Sequence, residues 1–270
     1  MRPEIATPER KHMPTAAGLH YFLHEGGGVR RPPLVLIHGA GGDHLFWPPE
    51  IRRLPDFRVI SLDLPGHGKT DGPGCQSIED YARCVAKFMD ASGLYRAVFV
   101  GHAMGGAIAL ALAHDYPDRV AGIGLISTGA CLPIPSSVIE NAANQSTFLL
   151  AIKGLQEISL GLHTSTNLSD INFKRLNETR QPLLLGDLLA CDRFNMVGCL
   201  DSIRSPALVV CGTEDKFTPL RFSETLSSQI PGAALQTVEG AGHMLILEQP
   251  GRLAKLISVF LATLPYSPGM

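Results

Sequence analysis

Apolar residues in this chain fall into short runs that alternate with stretches of helical period. Leu34-Val-Leu-Ile37, Val59-Ile-Ser-Leu62, Ala97-Val-Phe-Val100, Ile123 to Ile126, Ala207-Leu-Val-Val-Cys211 and Leu235 to Val238 are brief, mostly β-branched or aliphatic, and bounded by turn residues, which is the pattern of strands. Continuous apolar runs suit parallel strands covered on both faces. Between them, Ser77-Ile-Glu-Asp80 has the form of a capping box. Behind it Ile78, Tyr81, Ala82, Val85, Phe88 and Met89 recur at helical spacing. Met104 to Tyr116 is Ala-rich and stops at Pro117, a residue that ends helices. Arg221 to Ile230 and Arg252 to Leu261 complete the helical set. This alternation predicts an α/β fold with a doubly wound, mainly parallel sheet and helices on both faces.

One segment breaks the rhythm. Residues 131–200 contain no convincing strand, only helical stretches such as Ser146 to Leu160 and Gln181 to Leu189 separated by polar connections. That is far longer than a usual connection in an α/β unit. It reads as a helical cap inserted into a core made of residues 1–130 and 201–270, lying over the strand ends where open sheets bind ligands.

Composition narrows the function classes. A chain of 270 residues buries about 73% of its unfolded surface by size scaling, so the core needs neither disulfides nor a structural metal. Lys plus Arg is 23 and Asp plus Glu is 25, a net charge of −2. That balance argues against nucleic acid and gives no support to a polybasic membrane surface. The six cysteines form no C-x-x-C pair, which removes the zinc and thioredoxin-like readings and suits reduced thiols in a cytoplasmic protein. Met1 to Gly18 mixes charges with prolines and has no apolar segment, so no secretory signal is expected. No stretch reaches the roughly 18 apolar residues of a membrane span. No metal or cofactor is expected, and the oligomeric state is left open.

The chemistry enters at residues 98–106, Val-Phe-Val-Gly-His-Ala-Met-Gly-Gly. A strand ends, a Gly-x-x-x-Gly turn follows, and an Ala-rich helix begins: the context of a nucleophile elbow, whose motif is G-x-S-x-G. Gly101 and Gly105 match, but the nucleophile position is Ala103. With this elbow the chain resembles the α/β-hydrolase-fold superfamily, in its capped branch of esterases, monoacylglycerol-lipase-like enzymes and enol-lactonases. The resemblance runs from about Leu19 to Leu264 and rests on five motifs in order. They are His38-Gly-Ala-Gly-Gly42, Asp63-Leu-Pro-Gly-His-Gly68, Gly101-His-Ala-Met-Gly-Gly106, Gly212-Thr-Glu-Asp215 and Gly240-Ala-Gly-His243.

The family order of nucleophile, acid and histidine falls on Ala103, Asp215 and His243, with Glu214 the weaker choice of acid. The N–H of Met104, at a helix N-terminus, suits one oxyanion donor; the resemblance implies the N–H of Ala40 as the second. Gly39, Gly41 and Gly42 let that loop fold beside the substrate. Trp47 and Phe148 are candidates either for the pocket wall or for plain core. His38, His67 and His102 sit beside glycines and read as turn-holding residues; with Asp63 they match no zinc spacing. Gly68-Lys69-Thr70 matches only the tail of a P-loop and is set aside.

The resemblance implies hydrolysis of a small, largely apolar ester or lactone through an acyl-enzyme, with a small molecule as the partner. A C–C bond hydrolase or amidase of the same fold, or a non-catalytic small-molecule-binding relative, is the alternative. Alanine has no Oγ, so as it stands the chain is expected to be inactive. Three explanations are open: an engineered Ser→Ala exchange, a natural binding protein, or chemistry that needs only the Asp215–His243 base. The intact acid, histidine and oxyanion loop favour the first.

Overall fold

The computed structural model describes residues 14–27 and 31–265. The part of the secretory-signal reading that concerns residues 1–13 lies outside them. In chain order the elements are β1 (Thr15–Ala16), β2 (Leu19–His24), β3 (Leu34–Ile37), α1 (Pro49–Arg52), β4 (Val59–Leu62), α2 (Ile78–Ala91), β5 (Ala97–His102), α3 (Met104–Asp115) and β6 (Val120–Ile126). The series continues with α4 (Ser136–Ala143), α5 (Phe148–Ser159), α6 (Thr166–Glu178), α7 (Gln181–Arg193), β7 (Ala207–Gly212), α8 (Leu220–Gln229), β8 (Ala234–Val238), α9 (Leu245–Glu248) and α10 (Pro250–Thr263). The strands form one eight-stranded sheet in the order β1-β2-β4-β3-β5-β6-β7-β8. Among the described residues only β2 runs against its neighbours, β1 and β4; every other pairing there is parallel.

The apolar runs are the parallel strands because both faces of the sheet are covered. Val35, Ile37, Phe99, Ile123, Leu125 and Val209 face one core, with α2, α3 and α8. Leu34, Leu36, Val98, Val100, Leu208 and Val210 face the other, with α1, α9 and α10. That is the period of two expected of a strand. The antiparallel β1–β2 pair was not anticipated. Only Leu19 of β2 is fully buried, so this outer strand lacks the apolar run that marks the others.

Helix α2 starts where its capping box predicts. The N–H of Asp80 donates to Ser77 Oγ at 3.1 Å, and that hydroxyl donates to the Asp80 carboxylate at 3.0 Å. Helix α3 is buried on every side from Met104 to Ala113, which explains its small residues. A Cβ on Gly105 would lie 2.1 Å from the carbonyl oxygen of Ile37, so only glycine lets helix and strand approach this closely.

Between β6 and β7 stand four helices. Two of them, α5 and α7, follow the expected segments; α4 and α6 do not. Helix α6 buries only Asn172 and Leu176, too few apolar positions to give a legible stripe. Helix α7 and the residue before it are tied to the core by hydrogen bonds. The Asp187 carboxylate accepts from Gly41 N–H at 2.8 Å, His67 Nε2 at 2.8 Å and Tyr81 OH at 2.6 Å. Arg180 donates to the carbonyls of Gly66 and Gly72, both at 2.8 Å. Among the described residues no helix is long and apolar enough to cross a membrane.

Candidate active site

Strand β3 lies between β4 and β5, so the winding of the sheet reverses there, and open α/β sheets bind ligands at such a reversal. At the end of β5 the chain turns sharply at Ala103, with φ 49° and ψ −113°. This is a strained conformation for a residue with a Cβ and persists only where its surroundings over-determine it. They do so here: Ala103 N–H donates to Ile126 O at 2.9 Å, and Ala103 O accepts from Thr128 Oγ1 at 2.8 Å. The methyl group of Ala103 thus occupies an elbow at the start of α3.

After β7 the chain delivers Asp215, and after β8 His243. His243 Nδ1 donates to Asp215 Oδ2 at 3.0 Å. The other carboxylate oxygen accepts from the N–H groups of Phe217 at 2.9 Å and Thr218 at 2.7 Å. The Thr218 hydroxyl donates to Asp215 Oδ2 at 2.7 Å and lies 3.2 Å from His243 Nδ1. Burial pushes the Asp215 carboxyl up, but the charge of His243 and the hydrogen bonds from His243 and Thr218 outweigh it and hold the carboxyl below its usual value. Glu214, the rival acid, points elsewhere and accepts from Leu162 N–H.

After β3 comes the loop His38 to Gly42. His38 accepts from Leu64 N–H through Nε2 at 3.2 Å, so it donates from Nδ1 to Gly39 O at 2.8 Å. Burial, aided by His67, pulls its pKa down to about 4, which keeps it neutral. Gly41 N–H is committed to Asp187 and Gly42 N–H to Gly39 O. Among the described residues, no protein acceptor takes the N–H of Ala40 or of Met104.

These pieces line one cavity of about 50 Å³. Gly39, Ala40, His102, Ala103 and His243 form its polar floor, and Phe46, Leu155, Leu176, Leu184, Leu188 and Phe217 its apolar walls, with Asn172 and Ser159 among them. A larger cleft of about 360 Å³ opens beside it, between the Gly41–Asp43 and Gly66–Gly68 turns and Arg175 to Leu183, and shares Phe46 with it. Trp47 and Phe148 are not in the wall. Trp47 is fully buried in the core shared with α10, and Phe148 is buried at the start of α5 in the apolar cluster that includes the inserted helices.

Of the three turn histidines, His38 and His67 hold turns, and His67 and His102 reach beyond them. His102 Nε2 donates to the main-chain carbonyl of His243 at 2.9 Å; burial, reinforced by His243, lowers its pKa to about 3. His67 contacts Pro65 O through Nδ1 at 3.0 Å and the Asp187 carboxylate through Nε2. Both partners can only accept, so both ring nitrogens carry hydrogen. Burial lowers the His67 pKa, but Asp187 outweighs it and the net shift is upward. Thr218 had a sequence signal, a hydroxyl three residues after an aspartate ahead of a helix. Asn172 and Asp187 had none: each lies inside a helix with no motif around it.

The α/β hydrolase fold family model matches residues 32–250. A relative from Caulobacter sp. (strain K31), provisionally named carbamate hydrolase RutD, is 30% identical over 266 residues, covering 92% of this chain and 97% of its own. The enol-lactonase from Burkholderia xenovorans LB400 superposes with a TM-score of 0.82 at 25% identity, covering 90% of this chain and 96% of that one. A thermophilic esterase from Thermogutta terrifontis superposes with a TM-score of 0.80 at 26% identity, covering 90% and 93%.

Proposed function

The chain belongs to the α/β hydrolase fold family, and from that premise we propose that its site is built to hydrolyse a small, largely apolar carboxylic ester or lactone through an acyl-enzyme, with the nucleophile absent at Ala103. The observation that carries this reading is His243, paired with Asp215, lining the same cavity as an elbow residue held at φ 49°. A strained turn that aims a side chain at a base has little use unless that side chain reacts. The esterase and lactonase among the similar structures support the bond type.

With serine at 103 the steps follow. The Oγ attacks the substrate carbonyl while His243 Nε2 takes its proton; Asp215 fixes the tautomer and steadies the imidazolium that forms. The N–H groups of Ala40 and Met104 stabilise the oxyanion. His243 then protonates the leaving alcohol, and water repeats the sequence on the acyl-enzyme. With alanine the first bond cannot form, and loss of a triad serine costs about six orders of magnitude in kcat. The carbonyl compound would bind uncleaved. On this reading residues 131–200 act as a lid, since α5, α6 and α7 supply much of the cavity wall. The six free thiols suit the cytoplasm.

The relative named for carbamate hydrolysis supports a second reading with the same machinery, hydrolysis of a C–N bond. Ala103→Ser tests the family of readings. It is expected to give a burst and turnover with short p-nitrophenyl esters. A folded serine variant with neither, on a broad panel of esters, carbamates and amides, would leave the chain as a binding protein.

A further inference from the structure

Asn172, on α6, is 1% exposed and forms part of the cavity wall. Its orientation is fixed by a chain of hydrogen bonds. Gln156 Nε2 donates to the main-chain carbonyl of Ser169 at 2.8 Å and to Ser169 Oγ at 2.8 Å. A carbonyl oxygen only accepts, so Gln156 must turn its nitrogen to Ser169 and its oxygen away. That oxygen accepts from Asn172 Nδ2 at 2.7 Å. Asn172 therefore has its nitrogen committed to Gln156. Its Oδ1 is buried without a partner among the described residues.

A buried amide oxygen without a donor is costly, and the helix side chains that line the cavity with Asn172 offer none. Leu155, Leu176, Leu184 and Leu188 are hydrocarbon, and the Ser159 hydroxyl donates to Leu155 O at 2.6 Å. The floor of the same cavity holds a second bare acceptor, His102 Nδ1, since Nε2 of that ring carries the hydrogen given to His243 O. Against these acceptors stands the free main-chain N–H of Ala40 on the same cavity, with that of Met104 also free at the start of α3. The polar pattern thus complements a molecule with a carbonyl oxygen and a neutral hydrogen-bond donor.

We propose that Asn172 Oδ1 is a specificity determinant that accepts a hydrogen bond from an N–H or O–H group of the substrate, so that the site selects carbonyl compounds carrying such a donor over plain hydrocarbon esters. The inference rests on the reading that substrates place their carbonyl at residue 103. It narrows that reading, because an apolar wall with one fixed acceptor discriminates far better against a missing donor than against a missing methylene. Asn172 forms no bond to the reacting atoms; it decides which molecule stays.

Isosteric pairs that differ only by N–H for CH₂ test it: methyl N-ethylcarbamate against methyl butanoate, and methyl N-acetylglycinate against methyl levulinate. Calorimetry on the chain with Ala103 reads affinity without turnover. The N–H member of at least one pair is expected to bind about tenfold more tightly, the equivalent of about 1.4 kcal/mol. In Asn172→Leu and in the smaller Asn172→Ala, each checked for a retained melting transition, that preference should vanish. Equal affinity within about twofold for both pairs, under about 0.5 kcal/mol, overturns the inference. So does a preference that survives both substitutions. Methyl N-acetylglycinate and methyl levulinate, both methyl esters with the N–H away from the scissile carbonyl, compared by kcat/KM on Ala103→Ser, separate the two claims. Ester turnover without N–H preference sinks the Asn172 inference alone; selective binding without turnover sinks the hydrolytic reading alone; silence in both assays overturns both.

Discussion

His102 donates to the main-chain carbonyl of His243 at 2.9 Å, with their rings 4.9 Å apart. The residue just before the elbow thus fixes the loop that carries the histidine, a relationship across 141 positions of sequence. Placement of this kind matters because a shift of about 1 Å can cost a hundredfold in rate. In an Ala103→Ser background, His102→Leu is expected to lower kcat by about a hundredfold with KM little changed. His102→Gln, which can still donate, should recover part of the loss. Steady-state kinetics alongside thermal melts make the check; a fall in melting temperature with kcat intact would reduce His102 to a core residue.

Asp215 is held as firmly as His243. Asp215 accepts from His243, from the Thr218 hydroxyl and from two main-chain N–H groups. In the serine background Asp215→Asn should lower kcat about ten-thousand-fold, as loss of the orienting acid does in other triads. Thr218→Ala removes one hydrogen bond to a charged group, so a loss of about ten- to a hundredfold is expected. A Thr218→Ala enzyme at full rate would show that the carboxylate needs no help from the hydroxyl.

Two buried histidines should give stability opposite responses to pH. His102, held at a pKa of about 3, stays neutral while the unfolded chain takes up a proton below about pH 6.5. Its folded pKa is depressed, so its contribution is present above about pH 6.5 and is lost as the pH falls from there toward the folded value. His67 has a raised folded pKa. Its contribution is full below about pH 6.5 and is lost as the pH rises through the folded value. Denaturant titrations across this range should therefore find His102→Gln less sensitive to acid than the parent chain and His67→Gln more sensitive. Parallel curves for all three proteins would refute the protonation states assigned here.

The sheet was legible because its parallel strands are covered on both sides, and burial on two faces writes an uninterrupted apolar run. The sharp turn at Ala103 and the Asp215–His243 pair were legible as places in the chain because the residue types around them are unusual: small residues where Gly105 meets Ile37, a carboxylate after β7, a histidine in a glycine loop. The edge pair β1–β2 was not, since a strand with one face open carries mixed residues. Helix α6 was missed for a related reason, with only Asn172 and Leu176 buried. Trp47 illustrates the limit of residue type: a lone tryptophan close in sequence to the loop after β3 fits a pocket or a core equally well, and only packing decides. Asn172 and Asp187 lay beyond reach altogether, because their partners are 16 to 146 positions away.

Asp187 is where the last prediction lies. It is fully buried on α7, yet its carboxylate collects three donors from three separate parts of the core: Gly41 in the loop after β3, His67 in the turn after β4, and Tyr81 on α2. Burial, with Asp187 second, pushes the Tyr81 hydroxyl well above its ordinary pKa, so it stays a donor. Removing the carboxylate leaves a cationic histidine, a phenol and an amide without their acceptor in a dry site. Losing one partner of a buried charge pair costs about 3–5 kcal/mol. At about 2–4 °C per kcal/mol for a chain near this size, Asp187→Ala should melt roughly 10 °C lower. Tyr81→Phe removes one donor, an ordinary loss of about 1 kcal/mol. Because both changes cut the same network, the double variant should lose less than the sum of the two, with a coupling of about 0.5–3 kcal/mol. The loss should also reach the site. Freed from Asp187, the Gly41 amide no longer anchors the loop that presents Ala40, and carbonyl ligands should bind Asp187→Ala more weakly even at temperatures where it is fully folded. Additive melting shifts, or ligand affinity unchanged in folded Asp187→Ala, would show that this carboxylate holds the inserted helices without setting the oxyanion loop.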